Sequence, residues 1–489
     1  MATLKFNRRY AVIAIAITAL ASRLFAVDRG GGFKSVFGYD DGVYMGAATG
    51  LAHGLIPYRD FLFVHPPGIL LILSPFGYLG KFISDSNAFV LARLFFILMG
   101  VASTILVTRI GFRAGNWAGI FAGATYALWL PVVREERTTL LEVFCVFFFA
   151  LALFYITKTD LRRFDVIAAG ISLGLATSVK LWMAVPVIVI ALWLFARRKI
   201  ASGFIFGISA FSIFAIICTP FLILSKGKMW DLVWKAQISR AGKPESRLPR
   251  LAQIFNITKK LAPIVENPVF LVFVFALIAL AITLIFNKFK LSHLYLILIA
   301  AQLSVLLYSP VFFHGYSSYV AIPIILLVSL FFQRLIDFKY TAHLLVPIFI
   351  ASLIFNLVAV SELLPQQKFP AKAISKMVSS ARCVTSDSPS VLILSNTLTR
   401  SIENNCQVKF DVDGEIYGVN AGANNEKLTS TERRRNSAQY QDILLNYFES
   451  GDVTILKREV ADALTRTTLR KLDSLDLDVT SGLYLIYEK

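Results

Sequence analysis

Three stretches of this chain bring together side chains that can move protons or hold anions. The first is Gly38-Tyr39-Asp40-Asp41-Gly42-Val43-Tyr44, followed by Asp60 and by His65-Pro66-Pro67-Gly68. A hydroxyl is too weak an acid to ionise unaided at neutral pH, so a positioned carboxylate such as Asp40 or Asp41 could serve as its general base. Adjacent side chains diverge, so one carboxylate would meet the proton while the other orients a neighbour. A solvated turn ahead of Gly42 would also account for the pair. His65 could contact a hydroxyl or phosphate, or simply stabilise the turn made with its two prolines.

The second stretch is Arg134-Glu135-Glu136-Arg137 with Glu142. Glu135, Glu136 and Arg137 read equally well as a surface salt bridge at a helix end. Glu142 lies a turn into an apolar run, where ionisable groups cost about 2.5–3.5 kcal/mol and usually face a cavity. The third set is cationic and aromatic. Arg93, Lys180 and Arg240 could stabilise a departing anion, arginine as a fork and lysine as a point charge. His314, Tyr316 and Tyr319 cluster ahead of a late apolar run. The alternatives are a snorkelling lysine, a lipid-headgroup patch around Arg240 and an aromatic belt. No CxxC or His-rich metal-ligand spacing occurs in the sequence.

The elements that must position these groups are helices in a membrane. Of 489 residues, 56% are apolar and 16% charged, against about 25% charged in soluble domains. Apolar runs near 20 residues recur, each able to cross roughly 30 Å of hydrocarbon as a helix. Spans are expected at about 10–27, 86–110, 115–132, 139–157, 164–180, 181–197, 203–225, 267–287, 291–309, 317–333 and 342–361. Residues 67–83, broken by Pro67, Pro75, Gly77 and Gly80, read instead as a segment lying along the interface or dipping in.

Eleven spans place the termini on opposite sides. Short basic segments alternate with acid-bearing ones: Lys5, Arg8 and Arg9; Arg109 and Arg113; Lys158, Arg162 and Arg163; Arg197, Arg198 and Lys199; Lys288 and Lys290; Arg334 and Lys339. Basic loops stay in the cytoplasm, so the N-terminus is expected inside and the C-terminus outside. The first span resembles a signal peptide, but with many spans behind it a retained helix is the better reading. The loop 226–266 is outside by the same parity yet strongly basic, so either a span is miscounted or its charge serves an anionic partner. The net charge of +18 sits in these clusters and points to membrane lipids rather than nucleic acid.

From about 362 the pattern becomes that of a small α/β domain. Strands are expected at Val391–Leu394, Val408–Asp411, Val453–Leu456 and Leu483–Ile486, with helical stretches near 431–450 and 458–473. The chain thus divides into 1–361 in the membrane and an extracytoplasmic domain at 362–489. Outside the cell, Cys383 and Cys406 could form a disulfide, two unpaired thiols being the alternative. Cys145 and Cys218 fall in apolar runs, as packed thiols.

The order and spacing of these motifs resemble the GT-C superfamily of glycosyltransferases, in particular protein O-mannosyltransferases and the bacterial lipid A aminoarabinose transferase. In that superfamily an Asp-Glu pair opens the first outer loop and an HPPL- or KPPL-like motif closes it. Asp40-Asp41 and His65-Pro66-Pro67-Gly68 stand in those places. Arg93 matches a recurrent arginine, Arg134–Arg137 with Glu142 a second acidic loop, and Gly174–Lys180 a GLAxLTK-like stretch. His314-Gly315-Tyr316-Ser317-Ser318-Tyr319, with Pro323, is similar to an HYxxPxxP-like helix start. The likeness covers about residues 1–335. Asp41 in place of Glu, and a looser His-Tyr pairing, leave the subfamily open.

The resemblance implies an α-helical polytopic, GT-C-like membrane fold and inverting transfer of a sugar from a polyprenyl-phosphate donor. A glycan, lipid or protein of the cell envelope would be the acceptor, probed from the outer face of a bacterial plasma membrane, with no metal cofactor. Asp40 would be the base and Asp41 its partner. Asp60, His65, Arg93, Glu135, Glu136, Arg137, Glu142, Lys180, Arg240, His314, Tyr316 and Tyr319 would bind substrate. A transporter or flippase of lipid-linked sugars is the competing class. It would more naturally show internal repeats and paired broken helices, which the sequence does not clearly contain.

Overall fold

A computed structural model describes residues 7–236, 247–254, 290–309, 311–337, 342–361, 368–419, 430–457, 463–472, 476–481 and 484–488. The expected span at 267–287, and Arg240 with it, lie outside the described residues. The other ten expected spans are helical. They are α1 (Arg8–Arg29), α4 (Asp85–Gly111), α5 (Asn116–Leu128), α7 (Leu141–Ile156), α8 (Arg163–Val179), α9 (Ala184–Ala196), α10 (Ile200–Leu224), α12 (Lys290–Tyr308), α13 (Ser318–Asp337) and α14 (Ala342–Ser361). Between them run α2 (Tyr39–Ala52), α3 (Gly68–Ile83), α6 (Leu130–Glu135) and α11 (Arg247–Ile254).

Among the described residues five helices are long and apolar enough to cross a membrane: Arg8–Arg29, Asp85–Gly111, Ile200–Leu224, Leu291–Tyr308 and Gly315–Asp337. Shorter apolar helices, such as Leu141–Ile156 and Leu181–Ala196, accompany them. α10 presents Ile208, Phe211, Ile216 and Ile223, each more than 60% exposed, as an apolar face suited to lipid.

Contacts at the helix ends sort the bundle into two poles. Arg8 at the start of α1 donates to Asn116 (2.8 Å) and lies over Phe112. Arg113, after α4, donates to Thr157 at the end of α7 (2.7 Å), and Gln333 near the end of α13 accepts from Ala118 (3.1 Å). The basic segments at 8–9, 109–113 and 158–163, with Arg334, therefore share one pole. The opposite pole holds the end of α1 and the starts of α4 and α7, and with them every acidic candidate that forms part of the site.

α3 is a continuous helix despite Pro75. A Cβ on Gly68, at its start, would fall 2.7 Å from the carbonyl oxygen of Ser178 at the end of α8. At its other end Lys81 pairs with Glu403 of the C-terminal region (3.4 Å). Both ends of α3 thus lie at the same pole, so it runs across that pole and does not cross between the two.

The C-terminal region carries a four-stranded sheet in the order β1-β2-β4-β3, from β1 (Val384–Ser386), β2 (Val453–Lys457), β3 (Asp476–Ser481) and β4 (Tyr484–Glu488). β1 and β2 are parallel, and the other pairings are antiparallel. The expected strands at 453–456 and 483–486 are β2 and β4. Two others are corrected. Residues 391–394 belong to the helix Pro389–Leu394, where a proline in the first turn starts a fully buried apolar helix. Residues 408–411 form no strand; Phe410 instead plugs the face of α2. Cys383 and Cys406 form a disulfide with Cα atoms 5.6 Å apart, whereas Cys145 and Cys218 are buried thiols.

The C-terminal region is seated on the first loop. Gly42, Gly46 and Gly50 recur every four residues and so line one face of α2. Ser390 packs on Gly42, and Phe410 on Gly46 and Gly50. The Asp85 carboxylate, at the start of α4, accepts from the backbone of Thr399 (3.0 Å) and from its hydroxyl. Tyr39 donates to Asp411 (3.3 Å) and accepts from the backbone of Asp413 (2.8 Å).

Candidate active site

The loop after α1 folds into α2, with Asp40 and Asp41 in its first turn, and the two carboxylates meet opposite environments. Asp41 is fully buried. It pairs with Arg93 of α4, whose Nε lies 3.1 Å away, and accepts from the Thr139 backbone (2.7 Å) and hydroxyl (2.6 Å). Arg93 also donates to the carbonyls of Phe33 and Ser35 and lies between the rings of Phe37 (4.3 Å) and Phe89 (3.9 Å). This places Arg93 as a strut that fastens α2 and the 33–37 loop to α4, away from any exposed anion. Asp40 faces outward from the same turn and is exposed.

One turn on from Asp40 stands Tyr44, buried. Burial, and then the carboxylates of Asp40 and Glu142, push its phenol well above its ordinary value, so it stays protonated and can donate. The His65 ring packs on Tyr44 with centroids 5.8 Å apart. Two contacts bring it there: Tyr58 donates to the His65 carbonyl (2.5 Å), and the close seat of Gly68 on Ser178 draws the His-Pro-Pro-Gly segment to the end of α8.

Lys180 follows directly on α8, where the backbone turns extended and the side chain swings inward. Its Nζ donates to Glu142 (3.1 Å) and lies over the rings of Tyr316 (4.0 Å), Trp182 (4.7 Å) and Tyr319 (5.2 Å). Tyr319 donates to the same Glu142 oxygen (3.2 Å). Glu142, Lys180, Tyr316 and Tyr319 are all buried and come from α7, the end of α8 and the start of α13. Asp40, Tyr44, His65 and this cluster are what the fold gathers into one place.

The remaining candidates do other work. Glu136 is paired with Arg23 of α1 (2.6 Å) and accepts from Tyr126 (2.8 Å) inside the bundle. Arg137 donates to the Ala26 carbonyl and lies 4.7 Å over Phe37. Burial and neighbouring Arg134 lower it to about 10, so it remains charged at neutral pH. Glu135 is buried against Arg134 (3.1 Å) and Gly315, and burial raises its carboxyl. Asp60 is held by Arg59 (2.8 Å) and the Ile56 backbone (2.7 Å), which makes it the lock of its own turn. Its bond to Arg59 lowers its carboxyl. The backbone of His314 opens the turn that leads into α13.

Sequence reasoning missed Tyr44, Trp182, Thr139, Arg23 and Arg250. Tyr44 sits at i+4 from Asp40 and Arg23 is a charge within an apolar span, so both carried a readable signal. Arg250, in the basic loop, is buried, donates to the Ser309 carbonyl and approaches Phe312, beside the 314–317 turn. Only the fold places it there.

The sequence profile of the Dolichyl-phosphate-mannose-protein mannosyltransferase family matches residues 71–229. At the level of single sequences no curated protein matches significantly. Among solved structures, ArnT from Cupriavidus metallidurans in the apo state aligns with a TM-score of 0.61 at 12% identity, over 97% of each chain. The same protein bound to undecaprenyl phosphate aligns at 0.54 and 14%, again over 97% of each chain. The Archaeoglobus fulgidus oligosaccharyltransferase tethered with an acceptor peptide aligns at 0.56 and 11%, over 94% of this chain and 70% of that one. The chain thus shares its fold with ArnT and with the archaeal oligosaccharyltransferase, and the mannosyltransferase family model matches the part of it at residues 71–229.

Proposed function

We propose that the chain is an inverting glycosyltransferase that moves a sugar from a polyprenyl phosphate to a hydroxyl of a cell-envelope glycan, lipid or protein at the non-cytoplasmic face. The observation that carries this is the division of labour in the first turn of α2. Asp41 is consumed by Arg93 and Thr139, which leaves the exposed Asp40 rigidly mounted beside Tyr44 and the Glu142–Lys180 cluster. Asp40 takes the acceptor proton, the acceptor oxygen attacks the anomeric carbon, and the bond from that carbon to the phosphate oxygen breaks with its electron pair going to the phosphate. Lys180 and the protonated Tyr44 supply positive charge and a hydrogen bond where the leaving group becomes anionic. A preorganised lysine performs the charge neutralisation for which other transferases use a metal ion. Support for the donor class comes from the aligned ArnT structure, which was solved with undecaprenyl phosphate.

The two poles support the proposed orientation. Basic segments gather at the pole opposite the site, as expected of a cytoplasmic face. The Cys383–Cys406 disulfide lies in the region seated at the site pole, and disulfides persist in oxidising compartments. The test is transfer from radiolabelled polyprenyl-phosphate mannose, glucose, galactose or arabinose by membranes containing the protein. Asp40→Asn is expected to lower turnover by about 10²–10⁴ with donor binding retained and no response to chelator in the wild type. Normal turnover by the variant would remove Asp40 from the role of base. Movement of intact lipid-linked sugar with no transfer would favour the flippase.

A further inference from the structure

The first turn of α2 carries the proposed base, yet its N-cap, Gly38, has no side chain to cap it. A helix end without a side-chain cap leaves its first N–H groups unsatisfied and is less stable for it. Loosening of this turn would displace Asp40, and a misplacement of about 1 Å can cost on the order of 10²-fold in rate. The base therefore needs its backbone held on both sides. Asp41 holds it from the bundle, through Arg93 and Thr139. On the other side stands Tyr39, which reaches into the C-terminal region.

The Tyr39 hydroxyl both donates and accepts there, giving its proton to Asp411 (3.3 Å) and receiving the backbone N–H of Asp413 (2.8 Å). Burial, and then the carboxylates of Asp411 and Asp413, push the phenol well above its ordinary value, so it stays a donor. The turn that receives it is itself braced. The Asp411 carboxylate accepts from the Gly414 backbone (2.8 Å), Asp413 pairs with Arg434, and Tyr440 donates to the Val412 carbonyl (3.2 Å). Phe410, at the head of the turn, packs on Gly46 and Gly50. Residues 410–414 thus grip α2 at its first turn and again further along the same helix. We propose that Tyr39 is a positioning residue, and that through it the C-terminal region sets the aim of the Asp40 carboxylate. The inference rests on the functional reading above.

The test is the transfer assay above, with membranes containing equal amounts of each full-length variant and whichever of the four radiolabelled polyprenyl-phosphate sugars wild type uses. Tyr39→Phe keeps the ring and loses both hydrogen bonds. It is expected to lower kcat by about 10–100-fold with the KM for donor unchanged. In an Asp40→Asn background the same change should cost nothing further, because no base remains to be aimed. Asp411→Ala should lose turnover as Tyr39→Phe does, whereas Asp411→Asn, which keeps an acceptor oxygen for the Tyr39 hydroxyl, should retain it. Undiminished turnover by Tyr39→Phe overturns the inference and leaves the transferase reading standing. An equal loss in both backgrounds does the same, because it would mean a general structural role. If thermal unfolding shows that Tyr39→Phe does not fold, the two Asp411 variants decide, and equal turnover by both overturns the inference. Wild type that transfers none of the four sugars removes the transferase reading itself, and the inference with it.

Discussion

Asp40 and Asp41 are neighbours in the chain with opposite physical situations, and their amide variants should separate cleanly. Asp41→Asn removes the partner of a buried guanidinium, and breaking a buried pair from one side costs about 3–5 kcal/mol. The purified variant should therefore unfold at a clearly lower temperature. Asp40 is exposed, so Asp40→Asn should unfold like wild type and lose turnover alone. Equal thermal stability of the two variants would contradict the assignment of Asp41 as a strut. The same distinction applies to the arginines. Arg93 and Arg23 are wholly enclosed by carboxylate, carbonyl and ring contacts, so their value to the protein lies in holding helices together.

α2 is the element on which the site is built, and its opposite face explains its glycines. A Cβ on Gly42 would sit 2.4 Å from the Ser390 backbone nitrogen, and backbone cannot rotate away. Gly42→Ala should therefore cost about 1–3 kcal/mol through overpacking. Limited proteolysis should report it as faster cleavage in the 368–419 region, while Gly207→Ala, where no atom lies within 4 Å of the added carbon, should leave the cleavage rate unchanged. α3 serves α2 as a buttress. Gly77 rests on Thr49 and Gly68 on Ser178, which fixes the His65 ring against Tyr44.

At the scale of the whole molecule, charge sorts the poles and the C-terminal region closes over one of them. Reporter fusions at residues 240 and 400 are expected to score outside the cytoplasm and one at residue 160 inside; a cytoplasmic result at 400 would break the topology. The C-terminal region also carries a pH dependence. Burial raises Asp387 from 3.8 to about 7 even though it accepts from the Lys457 backbone (3.0 Å). The folded chain thus holds a proton there that the unfolded chain releases at lower pH. Stability from this group is greatest below 3.8 and falls as pH rises to about 7, then levels. Thermal unfolding between pH 5 and 8 should show that slope, and Asp387→Asn should flatten it.

The sequence by itself determined the membrane helices, because a run of apolar residues has one stable form in hydrocarbon, and it marked one pole by its basic clusters. It also singled out Asp40 and Asp41 as a carboxylate pair in a motif that resembles a known family's, Glu142 as a charge within an apolar run, and Lys180 as a cation at the end of one. It misread 391–394 as a strand, because a short buried apolar segment has no periodicity to separate strand from helix. Tertiary structure alone decided which carboxylate of the pair is buried, since that depends on Arg93 and Thr139, residues 52 and 98 positions away. It likewise decided that Lys180 meets Glu142, Tyr316 and Tyr319, and that Arg250 turns inward beside the 314–317 turn. Side-chain type and spacing are local properties, whereas burial and pairing are created only when distant helices pack.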